Sequence, residues 1–284
     1  MSTKEALEEY DNCAASIFSL KNRKLWSLSE RFRASALQEV VQRLVKSRGV
    51  GEEMLDSEGP EKGKVLVCVL SSTGEYKAVR SFRDPDGEIP WDDGVTIWEA
   101  ARATTAASSF FKPQQLGRGL DAEMFLDAAI GRNNPTFHLL AEAAPELGYG
   151  RRLGCVVSIG TGTRNVQLRG LRNLLQAPVY YYRLIKTLKS TATDGEQTHR
   201  QVEQTLLSYR DCYFRFNVPD AAEQVSLHHY KKIPVLKSLT REYLAKSDVA
   251  TKIQRVAEGL QTDSFDHGAT LGLAGKNTQP ATYF

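Results

Sequence analysis

The 284-residue sequence predicts an α/β fold, a three-layer α/β/α arrangement around a mostly parallel sheet. Two observations carry the prediction. Continuous apolar runs rich in valine, Val65 to Leu70 and Leu153 to Ile159, have the length of strands covered on both faces. Segments with helical periodicity stand between such runs, as parallel strands require of their crossovers. Hydrophobic residues make up 41% of the chain, enough to fill a sizeable core, and 25% charged residues suit a folded surface rather than a disordered chain.

The elements follow in order. Ser2 with Glu5 three positions on forms a capping-box signature, and Leu7, Tyr10, Ala14, Ile17 and Phe18 then recur at helical spacing, so a buried helix is expected from the first residues. Leu37, Val40, Val41, Leu44 and Val45 mark a second helix that ends at Gly49, whose missing Cβ suits the left-handed position after a helix. A polar loop over 49–64 leads to the first strand, and Tyr76 to Phe82 reads as a weaker second one. After a loop punctuated by Pro85, Gly87, Pro90 and Gly94, the residues Ile97, Trp98, Ala101 and Ala106 mark a helix over 95–109.

Phe125 and Leu126 read as the end of a strand that runs into Asp127, and Pro135 opens a helix to about Glu146. The strand at Leu153–Ile159 closes on Gly160, Thr161 and Gly162. Helices are expected over 179–190 and 196–209, then a strand at Cys212–Val218 with Cys212, Phe214, Phe216 and Val218 on one face, then a helix over 238–258 and a polar tail from Gln261. The domain reading is 1–217, a helical extension 218–260, and a tail or linker 261–284.

Several function classes have no sequence signal. Cys13, Cys68, Cys155 and Cys212 stand far apart with no CxxC spacing, and His138, His199, His228, His229 and His267 lack metal-ligand spacing; the adjacent pair His228 and His229 would point to different faces of a helix or strand. No cofactor and no metal is expected. Buried free thiols and the lack of a signal-peptide pattern at MSTKEALEEY suggest a cytoplasmic setting, and no run of about 18 apolar residues spans a bilayer. A net charge of +3 is too small for a nucleic-acid binder.

Two corners carry candidate chemistry, because reactive groups in open sheets gather where strands end. Asp127 is a carboxylate at a strand end that can orient a base or hold a nucleophile's proton, or can simply cap a turn. Gly160-Thr161-Gly162 is a weak phosphate-cradle pattern and a good strand-to-loop turn. Between Leu147 and Thr193 no Asp or Glu occurs, while Arg151, Arg152, Arg164, Arg169, Arg172, Arg183, Lys186 and Lys189 do; this basic stretch, 151–189, can face an anionic membrane or be balanced by acids elsewhere in the fold.

Two longer segments resemble the patatin-like phospholipase family. They are Trp98-Glu99-Ala100-Ala101-Arg102-Ala103-Thr104-Thr105-Ala106-Ala107-Ser108-Ser109-Phe110-Phe111-Lys112-Pro113 and Phe125-Leu126-Asp127-Ala128-Ala129-Ile130-Gly131-Arg132-Asn133-Asn134-Pro135. Cys155 to Gly162 and Tyr213 to Asn217 are similar to later strands of that family, in the same order. The resemblance implies lipid ester hydrolysis by a Ser/Asp dyad, with Asp127 as the dyad aspartate and no histidine or metal. Family members carry the serine in a Gly-x-Ser-x-Gly elbow, and no such motif occurs here; the nearest likeness, Val156-Val157-Ser158-Ile159-Gly160, has valine for the first glycine. The opening residues resemble family sequence just after the elbow helix, so the resemblance implies an N-terminally truncated domain, lacking the elbow and the oxyanion loop. A partner or oligomer is then expected to cover the shortened sheet. The Asp-Gly-Gly or Asp-Gly-Ala motif appears as Asp127-Ala128-Ala129, and Ala128 would strain a turn that needs positive φ. Two functions follow: a lipid acyl hydrolase lacking its nucleophile in these residues, or a non-catalytic derivative that keeps a lipid- or protein-binding surface.

Overall fold

The computed structural model describes residues 1–24, 30–49, 63–82, 91–92, 94–107, 110–119, 122–129, 133–162, 195–209, 211–221, 225, 228–261 and 268–275. They fall into two compact units. The first holds the described residues up to 129 together with 228–231, and the second holds the rest.

In the first unit, α1 (Thr3–Ile17) begins with the expected capping box: Ser2 N donates to Glu5 Oε2 at 2.7 Å, and Glu5 N donates to Ser2 Oγ at 3.3 Å. It is buried only at its far end. Ala14 and Ile17 are buried while Leu7 and Tyr10 are exposed, a correction to the buried helix expected from the first residues. Helix α2 (Ala34–Ser47) buries Leu37, Val40 and Val45, and Gly49 follows it at φ +62°. Around Ile17 and Leu37 a cluster of rings gathers, with Phe18 edge-on to Phe32 at 5.1 Å.

Four strands form one antiparallel sheet. They are β1 (Leu66–Ser71), β2 (Tyr76–Arg80), β3 (Gln114–Leu116) and β4 (Glu123–Asp127), in the order β2-β1-β4-β3. The tight turn at residues 72–75, with Gly74 at φ +95°, joins β1 directly to β2, and a connection that short permits only antiparallel pairing. Helix α3 (Ile97–Thr104) lies on the sheet through Ala100, Ala103 and the following Ala106, all essentially buried, rather than through Trp98 and Ala101. Small side chains let the helix approach closely, and the Thr96 hydroxyl of β1's neighbouring helix cap accepts from Glu99 N at 3.3 Å in a second capping box.

The second unit contains α4 (Thr136–Leu147), β5 (Val156–Ile159), a helix α5 over 195–205, β6 (Tyr213–Phe216), α6 (Ile233–Leu244), α7 (Ser247–Gln261) and α8 (Leu271–Gly275). Strands β5 and β6 pair in parallel from Val156↔Tyr213 to Ile159↔Phe216. The fold is thus compatible with the α/β class. A mostly parallel sheet is expected, but among the described strands parallel pairing occurs only here, the other four being antiparallel. The helix read over 238–258 is two helices. Ala245-Lys246 interrupts it, with Asp248 placing an acid in the first turn of α7. Within the segment read as a polar tail, Ala269, Leu271 and Ala274 are buried and join Leu140, Ala144, Val156, Val202 and Cys212 in one core. The helix read over 179–190, the basic residues from Arg164 to Lys189, and His267 lie outside the described residues.

Candidate functional site

Asp127 is the last residue of β4, opposite Val69 in the ladder. Its backbone N–H donates to the Ala106 carbonyl at 3.2 Å, so the resemblance segment around α3 holds the end of the strand in place. Oδ1 accepts from Ala129 N at 2.8 Å, and among the described residues no other hydrogen bond reaches the carboxylate. Burial pushes this carboxyl above the ordinary aspartate range, and the Ala129 hydrogen bond opposes the shift. The arrangement is a turn in which one oxygen is committed to the backbone and the other, unengaged among the described residues, can orient a neighbouring group. Ala128 imposes no left-handed strain: among the described non-glycine residues only Asp211 and Asp220 have positive φ.

Other residues of the α3 segment are structural. Arg102 is 2% exposed, donates from Nη2 to the Lys112 carbonyl at 2.6 Å and lies over the Phe111 ring; burial lowers its guanidinium, with Glu30 acting against the shift. Thr104 Oγ1 donates to the Cys68 carbonyl at 2.8 Å, which ties α3 to β1. Next to Asp127 in the sheet, Ser71 Oγ donates to Glu123 Oε1 and Lys77 Nζ donates to Glu123 Oε2 at 2.7 Å, so that Glu123 is held below the ordinary range by Lys77 first and Ser71 second. Ser71 is 1% exposed and serves this network; it presents no nucleophile.

Ser158 belongs to the second unit and lies at the centre of a buried polar network that sequence reasoning missed. Its Oγ is 3.0 Å from Thr136 Oγ1, donates to Asn134 Oδ1 at 3.3 Å and accepts from Arg215 Nη1 at 2.9 Å. Arg215 is its register partner on β6. Thr136 N and Oγ1 both donate to Asn134 Oδ1, at 3.2 and 2.6 Å, and Asn134 Nδ2 donates to the Gly195 carbonyl at 3.1 Å. Tyr213, whose hydroxyl is 3.1 Å from His199 Nδ1, is pushed up by burial, against a hydrogen bond with Ser158 and the charge of Arg215. The signal available in sequence was the polar spacing Asn134-Pro135-Thr136 at a helix start, where an asparagine side chain takes up free N–H groups.

The Gly160-Thr161-Gly162 segment is a locked turn. Gly160 N donates to the Phe216 carbonyl at 2.8 Å, and Gly162 N donates to Asn217 Oδ1 at 2.8 Å. A Cβ on Gly160 would lie 2.3 Å from Asn217 Oδ1, so glycine is required for the side chain to cross. These N–H groups are consumed within the protein, which favours the turn reading over a phosphate cradle. His228 and His229 lie in a turn with their rings 4.2 Å apart, correcting the expectation that they diverge; neither helix nor strand geometry separates them. Among the described residues no group of three or more His, Cys, Asp or Glu could hold a metal ion, and no helix is long and apolar enough to cross a membrane. Among the described residues, a pocket of about 310 Å³ is lined by Phe137, Gln201, Gln204 and Thr205, none of them titratable.

Comparison with known proteins finds phospholipases similar to part of the chain. The calcium-independent phospholipase A2-gamma of Mus musculus is 29% identical over 169 residues, 59% of this chain and 20% of its own length. The Homo sapiens protein of the same name is 28% identical over 176 residues. Patatin-like phospholipase 1 of Plasmodium falciparum is 28% identical over 164 residues, 53% of this chain and 24% of its own. Part of the chain is thus similar to patatin-like phospholipases. The chain spans about a fifth of the length of these relatives. No protein-family model matches it, and no solved structure does.

Proposed function

We propose that the chain is the aspartate-bearing part of a patatin-like lipid acyl hydrolase, with Asp127 the dyad aspartate of phospholipase-type ester hydrolysis. The observation that carries this reading is the placement of Asp127 at the end of β4, with one oxygen fixed by Ala129 N–H and the other unengaged among the described residues. A dyad aspartate needs this combination. The fixed oxygen sets the angle, and the free oxygen accepts the nucleophile's proton directly or orients the hydroxyl. Burial raises its basicity toward the range useful for a general base.

The 284 residues contain no Gly-x-Ser-x-Gly elbow, so hydrolysis requires that elbow and its oxyanion donors from sequence outside them. In this reading residues 1–217 belong to a three-layer α/β/α domain with a mostly parallel sheet completed by that further sequence, followed by the helical extension 218–260 and the tail 261–284. The chain alone is inactive, cytoplasmic, and meets lipid surfaces peripherally through the basic stretch 151–189.

The test joins the chain to an upstream segment bearing the elbow and measures release of fatty acid from phospholipid vesicles. Activity should appear in the longer chain and fall on the order of 10³-fold or more with Asp127→Asn. Undiminished activity in Asp127→Asn would remove the aspartate from the reaction. The alternative, a non-catalytic lipid-binding derivative, is favoured by the missing elbow. It predicts no ester hydrolysis even in the longer chain, together with salt-sensitive sedimentation on anionic vesicles.

A further inference from the structure

We infer that Cys155 and Cys212 form a covalent modification site at the start of the β5–β6 pair, where a hydroperoxide converts the two thiols to a cross-strand disulfide. The parallel ladder begins at Val156↔Tyr213, and each cysteine stands one residue before its member of that pair. Val156 N donates to the Cys212 carbonyl at 2.8 Å, so the strands are still hydrogen-bonded at this level. Neighbouring strands lie about 4.8 Å apart, within the roughly 4.4–6.8 Å between Cα atoms that a disulfide bridges. Continued one residue back from Val156↔Tyr213, the same register brings the two cysteine side chains to one face of the pair.

Both thiols are free, and they differ in access: Cys155 is half-buried, while Cys212 is fully buried with its Sγ 3.8 Å from the Leu153 carbonyl. Burial pushes the Cys212 thiol up to about 11, and Cys155 adds to that shift, an independent sign that the two sulfurs are neighbours. The unequal access assigns their roles. Burial raises the Cys155 thiol above its ordinary value as well, so it is the thiolate fraction of this more accessible sulfur that attacks the peroxide oxygen. An S–O bond forms, the O–O bond breaks, and the leaving hydroxide or alkoxide takes up the proton the thiol gave up, departing as water or an alcohol. The Cys212 sulfur then attacks the Cys155 sulfenic acid, the S–S bond forms, the S–O bond breaks, and the hydroxide leaves as water with the Cys212 proton. Two electrons pass from the thiol pair to the peroxide. Cys13 and Cys68 belong to the other unit and take no part.

The bond would close the chain between residues 155 and 212 and tie together the starts of two strands whose third rung is Ser158–Arg215. The test treats the 284-residue chain bearing Cys13→Ser and Cys68→Ser with hydrogen peroxide, then maps peptides without reduction. An intramolecular Cys155–Cys212 peptide, lighter by two hydrogen atoms and reversed by dithiothreitol, is expected. It should form on the order of tenfold faster in the native chain than in urea, because the fold supplies the proximity. Equal rates in urea, a sulfinic acid on Cys155 beside a free Cys212, or only intermolecular links would each overturn the assignment. Should the double variant fold poorly, the same mapping on the unaltered chain decides: Cys155–Cys212 links should predominate, and a statistical mixture of the four cysteines would refute the site.

Discussion

Phe125, at the centre of the antiparallel sheet in the first unit, is fully buried against the Trp91 ring at 5.2 Å, whereas the parallel pair of the second unit centres on a hydroxyl and a guanidinium, Ser158 and Arg215. The first arrangement is held by apolar area and by backbone pairing. The second has to pair the polar groups it buries. It does so for most of them through residues distant in sequence, Asn134, Thr136, Gly195 and Asn217, while Arg215 Nε has no hydrogen-bond partner among the described residues. The difference teaches where a change is local and where it spreads. A side chain lost from the apolar sheet leaves a cavity, while one altered in the polar network leaves partners without hydrogen bonds.

Phe125→Ala should therefore cost the most, about 3–5 kcal/mol, read by urea unfolding followed through tryptophan emission. Trp26, Trp91 and Trp98 all precede residue 131, so this signal belongs to the first part of the chain. A loss below about 1 kcal/mol would break the contrast by showing that the sheet does not depend on that ring. Next in size is Gly160→Ala. The added carbon meets Asn217 Oδ1 and the Arg215 guanidinium, and a shift of either should cost about 1–3 kcal/mol in the circular-dichroism transition. An unchanged midpoint would mean that Asn217 does not lock the turn.

The smallest effect sharpens the comparison at Asp127 itself. Its carboxyl is raised above the ordinary value of 3.8 by burial, so the folded chain holds the proton more tightly than the unfolded chain does. The stabilising contribution is fully present below the unfolded value and is lost as pH rises through the folded one. Asp127→Asn keeps an oxygen for Ala129 N–H and carries no charge. It should leave stability unchanged or slightly raised at neutral pH and should flatten the decline above the ordinary aspartate value, measured by urea midpoints across that pH range. A variant that is less stable at neutral pH would show that the carboxylate charge has a favourable partner.

Local signals in the sequence had local outcomes. The capping box at Ser2 and Glu5, the helix end at Gly49 and the strand that runs into Asp127 each depend on residues within a few positions, and each is found where it was read. Burial was less legible. Leu7 and Tyr10 keep helical spacing yet are exposed, because periodicity specifies a face and not what covers it. Arg102 has the opposite history: a charged residue in a recognisable segment is deeply buried because the Lys112 carbonyl and the Phe111 ring accept it.

By itself the sequence determined the approximate places of many helices and strands, the absence of a Gly-x-Ser-x-Gly elbow within these residues and the resemblance that singles out Asp127. Only the tertiary structure decided that β1 to β4 pair antiparallel, that Ser158 sits in a buried polar network with Asn134, Thr136 and Arg215, and that Cys155 and Cys212 immediately precede paired residues of β5 and β6. The reason is physical. Caps, turns and periodicity act over one or two turns of chain, whereas strand order and polar satisfaction are set by which distant segments can be buried together at the lowest cost in unpaired groups.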